Sequence, residues 1–282
     1  GRYFGPRADI ALLDYIRHSR QQAHKAVSDA GFFQSVCSKT QPLFTELFPE
    51  RQPARPFQSA IDQIPTKVLE HPCLVIVEAP TGEGKTEAAF TVAHRIGLLR
   101  GSDEFYCALP TTATSNQMFI RTQKYLQKNL NLSTQTNLIH GQSFLVEDDL
   151  RIEPLSNGDT ESSEALEWFA PKKRALLAPF GVGTVDQAEL AALNVRHNAL
   201  RLIGLAGKVV ILDEVHAYDT YMTTIIEQML RWLSALGSSV ILLSATLPTA
   251  RRTALATAYG VTDEVEATEH AGYPSLWVGS KG

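Results

Sequence analysis

The sequence predicts an α/β fold in which a mostly parallel sheet is covered by helices on both faces. From Cys73 onward, short apolar runs alternate with helix-like stretches. One of these runs leads into a Gly-Lys-Thr loop, and another ends in two adjacent acids. Parallel strands need crossover connections, which are usually helices, so this alternation indicates a sheet with helices on each side. Ligands of such sheets bind beyond the carboxyl ends of the strands, which is where the polar motifs of this chain lie.

The predicted strands are apolar runs rich in β-forming residues, at 73–79, 105–109, 136–140, 174–178, 208–212 and 239–243. Helix-like stretches lie between most of them, at 84–99, 114–128, 186–194, 219–236 and 249–259. Residues 8–30 show roughly helical spacing, and Gly31 is placed to end that helix. Four prolines make 40–57 a connecting loop. The acidic stretch 146–165 is predicted to be a solvated surface insertion, with a partner-docking loop as the alternative.

The composition excludes several classes of protein. With 26 Lys+Arg against 30 Asp+Glu, a globally basic nucleic-acid coat is excluded, although a local groove for a strand is not. No apolar run approaches the ~18–20 residues of a membrane span, and no secretory signal opens the chain. Cys37, Cys73 and Cys107 are far apart and are expected to be small core residues in a reducing cytosol, which predicts a cytoplasmic protein without a membrane partner. The sequence has no His-Asp dipeptide and no close cluster of histidines, so it gives no sign of a metal-dependent nuclease centre.

A loop that follows the first strand run predicts a nucleotide-phosphate site. The run at 75–78 breaks into a small Gly-containing loop, and Gly-Lys-Thr then opens a helix-like stretch. Consecutive backbone N–H groups and a helix N-terminus favour an anion, and Lys85 adds a full charge. The predicted contacts to the nucleotide are Pro80, Thr81, Gly82, Glu83, Gly84, Lys85 and Thr86. Ala79 stands where the usual pattern has Gly, so an ordinary strand-turn-helix corner is the alternative.

Two acids at the end of another apolar run predict the second half of this site. Asp213 and Glu214 directly follow the run 209–212. Asp213 at the end of a buried strand is expected to hold Mg²⁺ with the hydroxyl of Thr86, and Glu214 to orient and deprotonate the water that attacks the γ-phosphate. His216 completes the Asp-Glu-Val-His motif and is grouped with Lys85, Asp213 and Glu214 as catalytic. A strand that runs into an acidic turn is the alternative interpretation.

A third strand run ends in a hydroxyl-containing triplet, Ser244-Ala245-Thr246. These residues are expected to bind the Asp-Glu-Val-His loop by hydrogen bonds and so to couple it to the state of the γ-phosphate. An N-cap for the following helix is the alternative.

The order of these three motifs resembles that of superfamily-two helicases. The resemblance implies a RecA-like P-loop NTPase domain with ATP and Mg²⁺ as cofactors. It also implies that the amide of Gln58 reads adenine, and that two further segments contact the sugar-phosphate backbone of a strand. The expected strand contacts are Thr111, Thr112, Asn116, Gln117, Thr184, Asp186 and Gln187. Plain turns or helix caps are the alternative for these segments.

The amino-acid sequences of four segments are similar to those of the CRISPR-associated helicase-nuclease of type I interference. These segments are 182–188, 205–210, 213–219 and 242–248. The resemblance implies ATP-driven, 3′-to-5′ translocation on single-stranded DNA after recruitment to a Cascade-type surveillance complex. An RNA helicase of the DEAD/DEAH group is a rival, and a non-catalytic docking module that uses nucleotide as a switch is another.

The same resemblance divides the chain into three parts. Residues 1–48 are expected to be a helical connector from an HD nuclease domain, 49–260 the first RecA-like domain, and 261–282 a linker toward a second RecA-like domain. Neither partner domain is found in this sequence, and the first methionine is Met118, so we expect a fragment. An arginine finger supplied by a second domain is worth about 10³–10⁵ in turnover, so the isolated chain should be nearly inactive. Residues 172–174 (Lys-Lys-Arg) either face solvent or contact DNA.

Overall fold

The computed structural model describes residues 41–129, 138–140, 175–193, 198–266 and 272–281, together with four N-terminal positions, Asp14, His18, Gln21 and Gln22. Those four positions are helical, and the rest of the helix predicted at 8–30 lies outside the described residues. The acidic stretch 146–165 and the basic residues 172–174 also lie outside them.

The described strands form one sheet of eight, of which six are parallel. They are Cys73–Glu78 (β1), Phe105–Leu109 (β2), Leu138–His140 (β3), Phe180–Thr184 (β4), Val209–Leu212 (β5), Ser239–Ser244 (β6), Asp263–Glu266 (β7) and Ser275–Ser280 (β8). Their order across the sheet is β3-β4-β2-β5-β6-β1-β8-β7. β8 runs antiparallel to β1, and β7 runs antiparallel to β8. The predicted parallel α/β fold is therefore confirmed.

Helices cover both faces of this sheet. The described helices are Phe44–Leu47 (α1), Pro56–Ile61 (α2), Thr66–Leu69 (α3), Lys85–Arg100 (α4), Thr112–Asn129 (α5), Val185–Ala192 (α6), Asn198–Leu205 (α7), Thr220–Ala235 (α8) and Thr249–Tyr259 (α9). The buried side chains of α1 to α5 share one hydrophobic cluster, and those of α6 to α9 share another.

The central strands separate these two clusters by the alternation of their side chains. In β1, Val75 and Val77 belong to the first cluster, whereas Leu74 and Ile76 belong to the second. Since successive side chains of a strand point to opposite faces, a strand buried on both sides reads as a continuous apolar run. Among the described helices, none is both long enough and apolar enough to cross a membrane.

The fourth strand differs from the prediction at 174–178. Residues Ala175–Leu177 form a 3-10 turn, and β4 begins at Phe180. The earlier run is apolar because Leu176 packs into the core, not because it forms a strand. The true strand contains glycine at 181, where the Tyr106 ring lies 2.7 Å from the position of an added Cβ. Glycine weakens the strand signal in sequence, while packing requires it here.

The described residues also correct both ends of the predicted domain. The interpretation of 261–282 as a linker is wrong, because β7 and β8 belong to the sheet and β8 pairs with β1 along its whole length. The boundary at 48 also falls too late. Phe44, Leu47 and Phe48 are buried in the first hydrophobic cluster, so α1 is part of this domain.

Candidate nucleotide-binding site

The loop between β1 and α4 has the backbone geometry of a phosphate-binding loop. Gly82 and Gly84 have φ angles of 83° and 86°, a region that side-chain-bearing residues rarely adopt. Lys85 is the first residue of α4, and its Nζ donates hydrogen bonds to the carbonyl oxygens of Ala79 (2.8 Å) and Pro80 (3.4 Å). The ammonium group therefore lies over the loop at a helix N-terminus, where the helix dipole favours anions.

Gln58 supports this loop from behind. Its Nε2 donates to the carbonyl oxygens of Glu83 (3.2 Å) and Gly84 (3.4 Å), and its Oε1 accepts from the amide of Arg55 (3.0 Å). The side chain of Arg55 also binds the Glu83 carbonyl and pairs with the Glu83 carboxylate. Gln58 is only 1% exposed. The structure thus engages both ends of the amide with backbone, and the predicted adenine contact of Gln58 stays a prediction.

The two acids after β5 occupy a strained turn. Glu214 has a φ of 55°, the one positive φ of a non-glycine residue among those described. Such strain is characteristic of functional sites. Oδ1 of Asp213 accepts the Glu214 amide at 2.8 Å. Burial and the neighbouring Glu214 charge raise the pKa of Asp213, while Lys85 acts in the opposite direction. A cation at this position would favour the carboxylate form of Asp213.

A cleft of about 270 Å³ brings the loop and the acids together. The predicted residues that line it are Thr81, Gly82, Gly84, Lys85, Thr86, Asp213 and Glu214. An ammonium group, a hydroxyl, a carboxylate and a helix N-terminus are the groups that bind a magnesium–phosphate unit in other proteins. The residues present therefore fit a nucleotide phosphate and a divalent cation.

Three further residues of this cleft were not predicted from the sequence. Oε1 of Glu87 accepts hydrogen bonds from Arg51 (2.8 Å) and Arg121 (2.9 Å). Burial by itself would raise the pKa of Glu87, but the two guanidinium groups outweigh it and lower that pKa. This group, which we call the Glu87 clasp, also lines a neighbouring cavity of about 370 Å³. Glu87 follows Thr86 directly, but no sequence spacing pairs it with arginines 34 and 36 residues away.

His216 joins Glu214 to the Ser-Ala-Thr segment. Its Nδ1 accepts the Ala245 amide at 3.1 Å, and its Nε2 lies 3.2 Å from Oε2 of Glu214. Since Nδ1 serves as an acceptor, the neutral ring carries its proton on Nε2. This N–H donates a hydrogen bond to the Glu214 carboxylate. The hydroxyl of Ser244 lies 3.3 Å from Nδ1 and donates to the Thr246 carbonyl at 2.7 Å. The structure thus brings together the residues expected to couple these two segments.

The sequence model of the DEAD/DEAH box helicase family matches residues 58–254, a range that includes the loop, the acids and the Ser-Ala-Thr segment. The chain belongs to this family.

Several proteins to which this chain is similar are CRISPR-associated. The CRISPR-associated endonuclease/helicase Cas3 of Thermus thermophilus is 39% identical over 276 residues, which cover 93% of this chain and 29% of that protein. A crystal structure of T. fusca Cas3-ADP superposes with a TM-score of 0.78 at 35% identity, covering 97% of this chain and 31% of that one. A chain from the structure of a CRISPR RNA-guided surveillance complex in the pre-nicking state superposes with a TM-score of 0.55 at 32% identity. The match covers 92% of this chain and 25% of that one. The resemblance to the CRISPR-associated helicase-nuclease is confirmed, and this chain spans less than a third of each relative.

The residues of this DEAD/DEAH box domain that are predicted to contact nucleic acid lie at the ends of two paired β-strands. Leu109 of β2 pairs with Thr184 of β4, so the segments that follow these residues are neighbours. Asp186 and Gln187 lie in the first turn of α6. Thr111 accepts the Thr114 amide at 3.3 Å and thus caps α5. The helix-cap interpretation is therefore seen for Thr111, and contact with nucleic acid stays a prediction for the whole group.

The other residues that are predicted to contact nucleic acid differ in their exposure to solvent. Gln117 is exposed and Asn116 is half-buried, while Thr112 begins α5. None of the predicted strand contacts lines the 270 Å³ cleft. Glu189, one turn after Asp186, is buried, which raises its pKa to about 7, and the charges of Asp186 and Asp219 add to this shift. This end of the sheet therefore combines hydroxyl and amide groups with acids.

Proposed function

We propose that this chain is the first RecA-like motor domain of an ATP-dependent helicase that translocates on single-stranded DNA in CRISPR type I interference. The observation that carries the proposal is the cleft that joins Lys85 and Thr86 to Asp213 and Glu214. The similarity to Cas3 proteins supports the CRISPR assignment, and the T. fusca relative named with ADP supports a nucleotide as ligand.

In this proposal each cleft residue has a defined task. The loop from Pro80 to Thr86 and the ammonium group of Lys85 bind the phosphates, while Thr86 and Asp213 hold Mg²⁺. When bound, Mg²⁺ would neutralise charge that develops on the phosphate oxygens. Glu214 orients the attacking water and accepts its proton, and the Nε2–H of His216 holds the Glu214 carboxylate in place.

The proposed partners complete the motor. A second RecA-like domain would contribute arginines to the γ-phosphate, and an HD nuclease domain would cut the DNA, since the relatives are more than three times as long as this chain. The surveillance-complex relative supports recruitment to a Cascade-type complex. We place the protein in the cytoplasm, in agreement with the free and buried Cys73 and Cys107.

Two other functions would use the same cleft. An RNA helicase core would bind RNA instead of DNA, and a docking module would bind nucleotide without hydrolysing it. The similarity to Cas3 disfavours the first. The presence of Glu214 beside Asp213 disfavours the second, because a switch that does not hydrolyse nucleotide has little need of a base there.

Nucleotide binding and hydrolysis by this chain test the proposal. We expect measurable ADP binding that Lys85→Ala abolishes and that Lys128→Ala leaves unchanged, since Lys128 pairs with Glu50 on an exposed surface. Turnover of ATP should stay at the Lys85→Ala level with no nucleic acid, with single-stranded DNA and with single-stranded RNA. Equal ADP binding by wild type and Lys85→Ala would remove the phosphate-loop assignment. Stimulation by RNA alone would favour the RNA helicase.

A further inference from the structure

The Ser-Ala-Thr segment is anchored at both ends to the two residues that precede the phosphate loop. The carbonyl oxygen of Ser244 accepts the amide of Ala79 at 3.2 Å. Three residues further on, the amide of Leu247 donates to Oε2 of Glu78 at 2.8 Å. Residues 244–247 therefore form a turn whose position is set by residues 78 and 79. The first anchor extends the β1–β6 ladder, but the second depends on one side chain.

That side chain is a buried carboxylate at the end of a central strand. Glu78 is 6% exposed and pairs with Ser244 on one side and Ser275 on the other. A buried carboxylate costs free energy unless it is paired and hydrogen-bonded. Here the second oxygen, Oε1, accepts Nη2 of Arg252 at 2.6 Å. Both oxygens are thus held, and the carboxylate has a defined orientation.

The neighbouring arginine of α9 reaches the other loop. Nη2 of Arg251 donates to the carbonyl oxygens of Val215 (3.3 Å) and Tyr218 (3.4 Å), on either side of His216, and to the Thr223 hydroxyl (2.6 Å). The first turn of α9 therefore contacts the strand that leads into the phosphate loop through Arg252, and the Asp-Glu-Val-His loop through Arg251.

These contacts form a continuous path between the two halves of the cleft. At one end, Nζ of Lys85 binds the carbonyl oxygen of Ala79, the residue after Glu78. At the other end, the Ala245 amide binds Nδ1 of His216, and Nε2 of His216 faces Glu214. Ala245 lies inside the turn that Glu78 closes. A shift of that turn would withdraw the N–H that holds the proton of His216 on Nε2.

We propose that Glu78 is a positioning residue: its carboxylate holds the turn 244–247 so that the Ala245 amide selects the His216 tautomer that orients Glu214. We call this chain of contacts, from Glu78 through the Ala245 amide to His216 and Glu214, the relay. Its use in hydrolysis rests on the proposed function, whereas its existence does not. Glu78 does not line the nucleotide cleft, so its effect on the cleft acts through the turn and His216.

The tautomer of His216 can be measured directly. Histidine labelled with ¹⁵N in the full chain gives correlations between ring nitrogens and ring protons, and His216→Gln identifies the signal of this residue. In the wild type without nucleotide we expect one tautomer, protonated on Nε2. Glu78→Ala removes the acceptor of the Leu247 amide and should give a mixture of tautomers. Glu78→Gln retains an acceptor oxygen and should keep the wild-type signal.

Two further variants make the test decisive. Glu78→Asp shortens the side chain by one methylene, which withdraws the acceptor in a more conservative way if Glu78→Ala does not fold. Glu50→Ala removes an exposed ion pair and should leave the His216 signal unchanged. An unchanged His216 signal in the folded Ala and Asp variants would overturn the proposal.

Nucleotide affinity separates the relay from the proposed function. If both are right, Glu78→Ala should change the tautomer and leave ADP binding unchanged, because Glu78 does not line the cleft and Glu214 acts on the attacking water and not on the diphosphate. Failure of the wild type to bind ADP would refute the nucleotide site and leave the tautomer result intact. Normal ADP binding with an unchanged tautomer would refute the relay alone.

Discussion

Nη2 of Arg121 lies 2.9 Å from Oε1 of Glu87, and this contact joins α5 to the first turn of α4 at the edge of the nucleotide cleft. Arg51 binds the same oxygen from the segment before the sheet. The Glu87 clasp therefore ties two separate parts of the chain to the helix that follows the phosphate loop.

We expect Arg121→Ala to lower the free energy of unfolding by about 1 kcal/mol. The Glu87 carboxylate is buried and would lose one of two charged partners, but Arg121 is 45% exposed, so solvent screening limits the loss. Chemical denaturation at pH 7 measures this change. Lys128→Ala breaks an exposed ion pair and should stay within about 0.5 kcal/mol. Equal losses in the two variants would contradict the role of the clasp.

Gly84→Ala should both destabilise the chain and weaken ADP binding. Its φ of 86° is unfavourable for any side chain, and an added Cβ would clash with Nε2 of Gln58, which holds the loop. We expect a cost of at least about 1 kcal/mol and a loss of affinity of about tenfold or more.

Gly101→Ala is the matched control for this prediction. Gly101 ends α4 with a φ of 70°, but no atom lies within 4 Å of an added Cβ. It should cost about 1 kcal/mol of stability and leave ADP affinity unchanged. Isothermal titration with ADP, together with thermal melting, distinguishes the two glycines. An unchanged affinity in Gly84→Ala would show that the loop tolerates a side chain there.

Glu189→Gln should stabilise the chain at alkaline pH. Burial and the charges of Asp186 and Asp219 raise the pKa of Glu189 to about 7, well above its value in the unfolded chain. The folded state therefore binds the proton more tightly, and this contribution to stability is present at low pH and lost as the pH rises from about 4.5 to 7. The variant should gain about 1–3 kcal/mol over wild type at pH 8 and little at pH 4.

Asp103→Asn extends the same test to the other face of the sheet. Burial raises the pKa of Asp103 to about 6, and neither of its oxygens has a hydrogen-bond partner. Urea titrations at several pH values between 4 and 8 should show the same sign for both variants. A pH profile that is parallel to wild type in both variants would refute the raised pKa values of these two acids.

Replacement of Thr184 and Gln187 by Ala should weaken binding of single-stranded DNA by about the same factor for every sequence. Hydroxyl and amide groups at this position suit contacts to the sugar-phosphate backbone, which carry no sequence information. Fluorescence anisotropy with two oligonucleotides of unrelated sequence measures this loss. Thr253→Ala, on the exposed side of α9, is the control. A loss confined to one oligonucleotide would mean that these residues contact bases.

The strands that carry the site were predictable because they are buried on both faces. β1, β5 and β6 read as continuous apolar runs, and each ends where a polar motif begins. β4 and β8 were missed for different reasons. β4 contains Gly181, which packing against Tyr106 requires, and β8 pairs antiparallel with β1 after a long separation in sequence. Pairing between distant segments leaves no local periodicity.

By itself, the sequence determined the parallel α/β fold, the positions of the phosphate loop and the acid pair, and the family. These features depend on local order: apolar runs form buried strands, and motifs follow strand ends. Only the tertiary structure decided that Gln58 supports the loop, that Glu87 binds two distant arginines, and that Glu78 reaches Leu247. Each of these contacts joins side chains and backbone groups that are 25 to 169 residues apart, and their partners are selected by packing of the sheet and its helices.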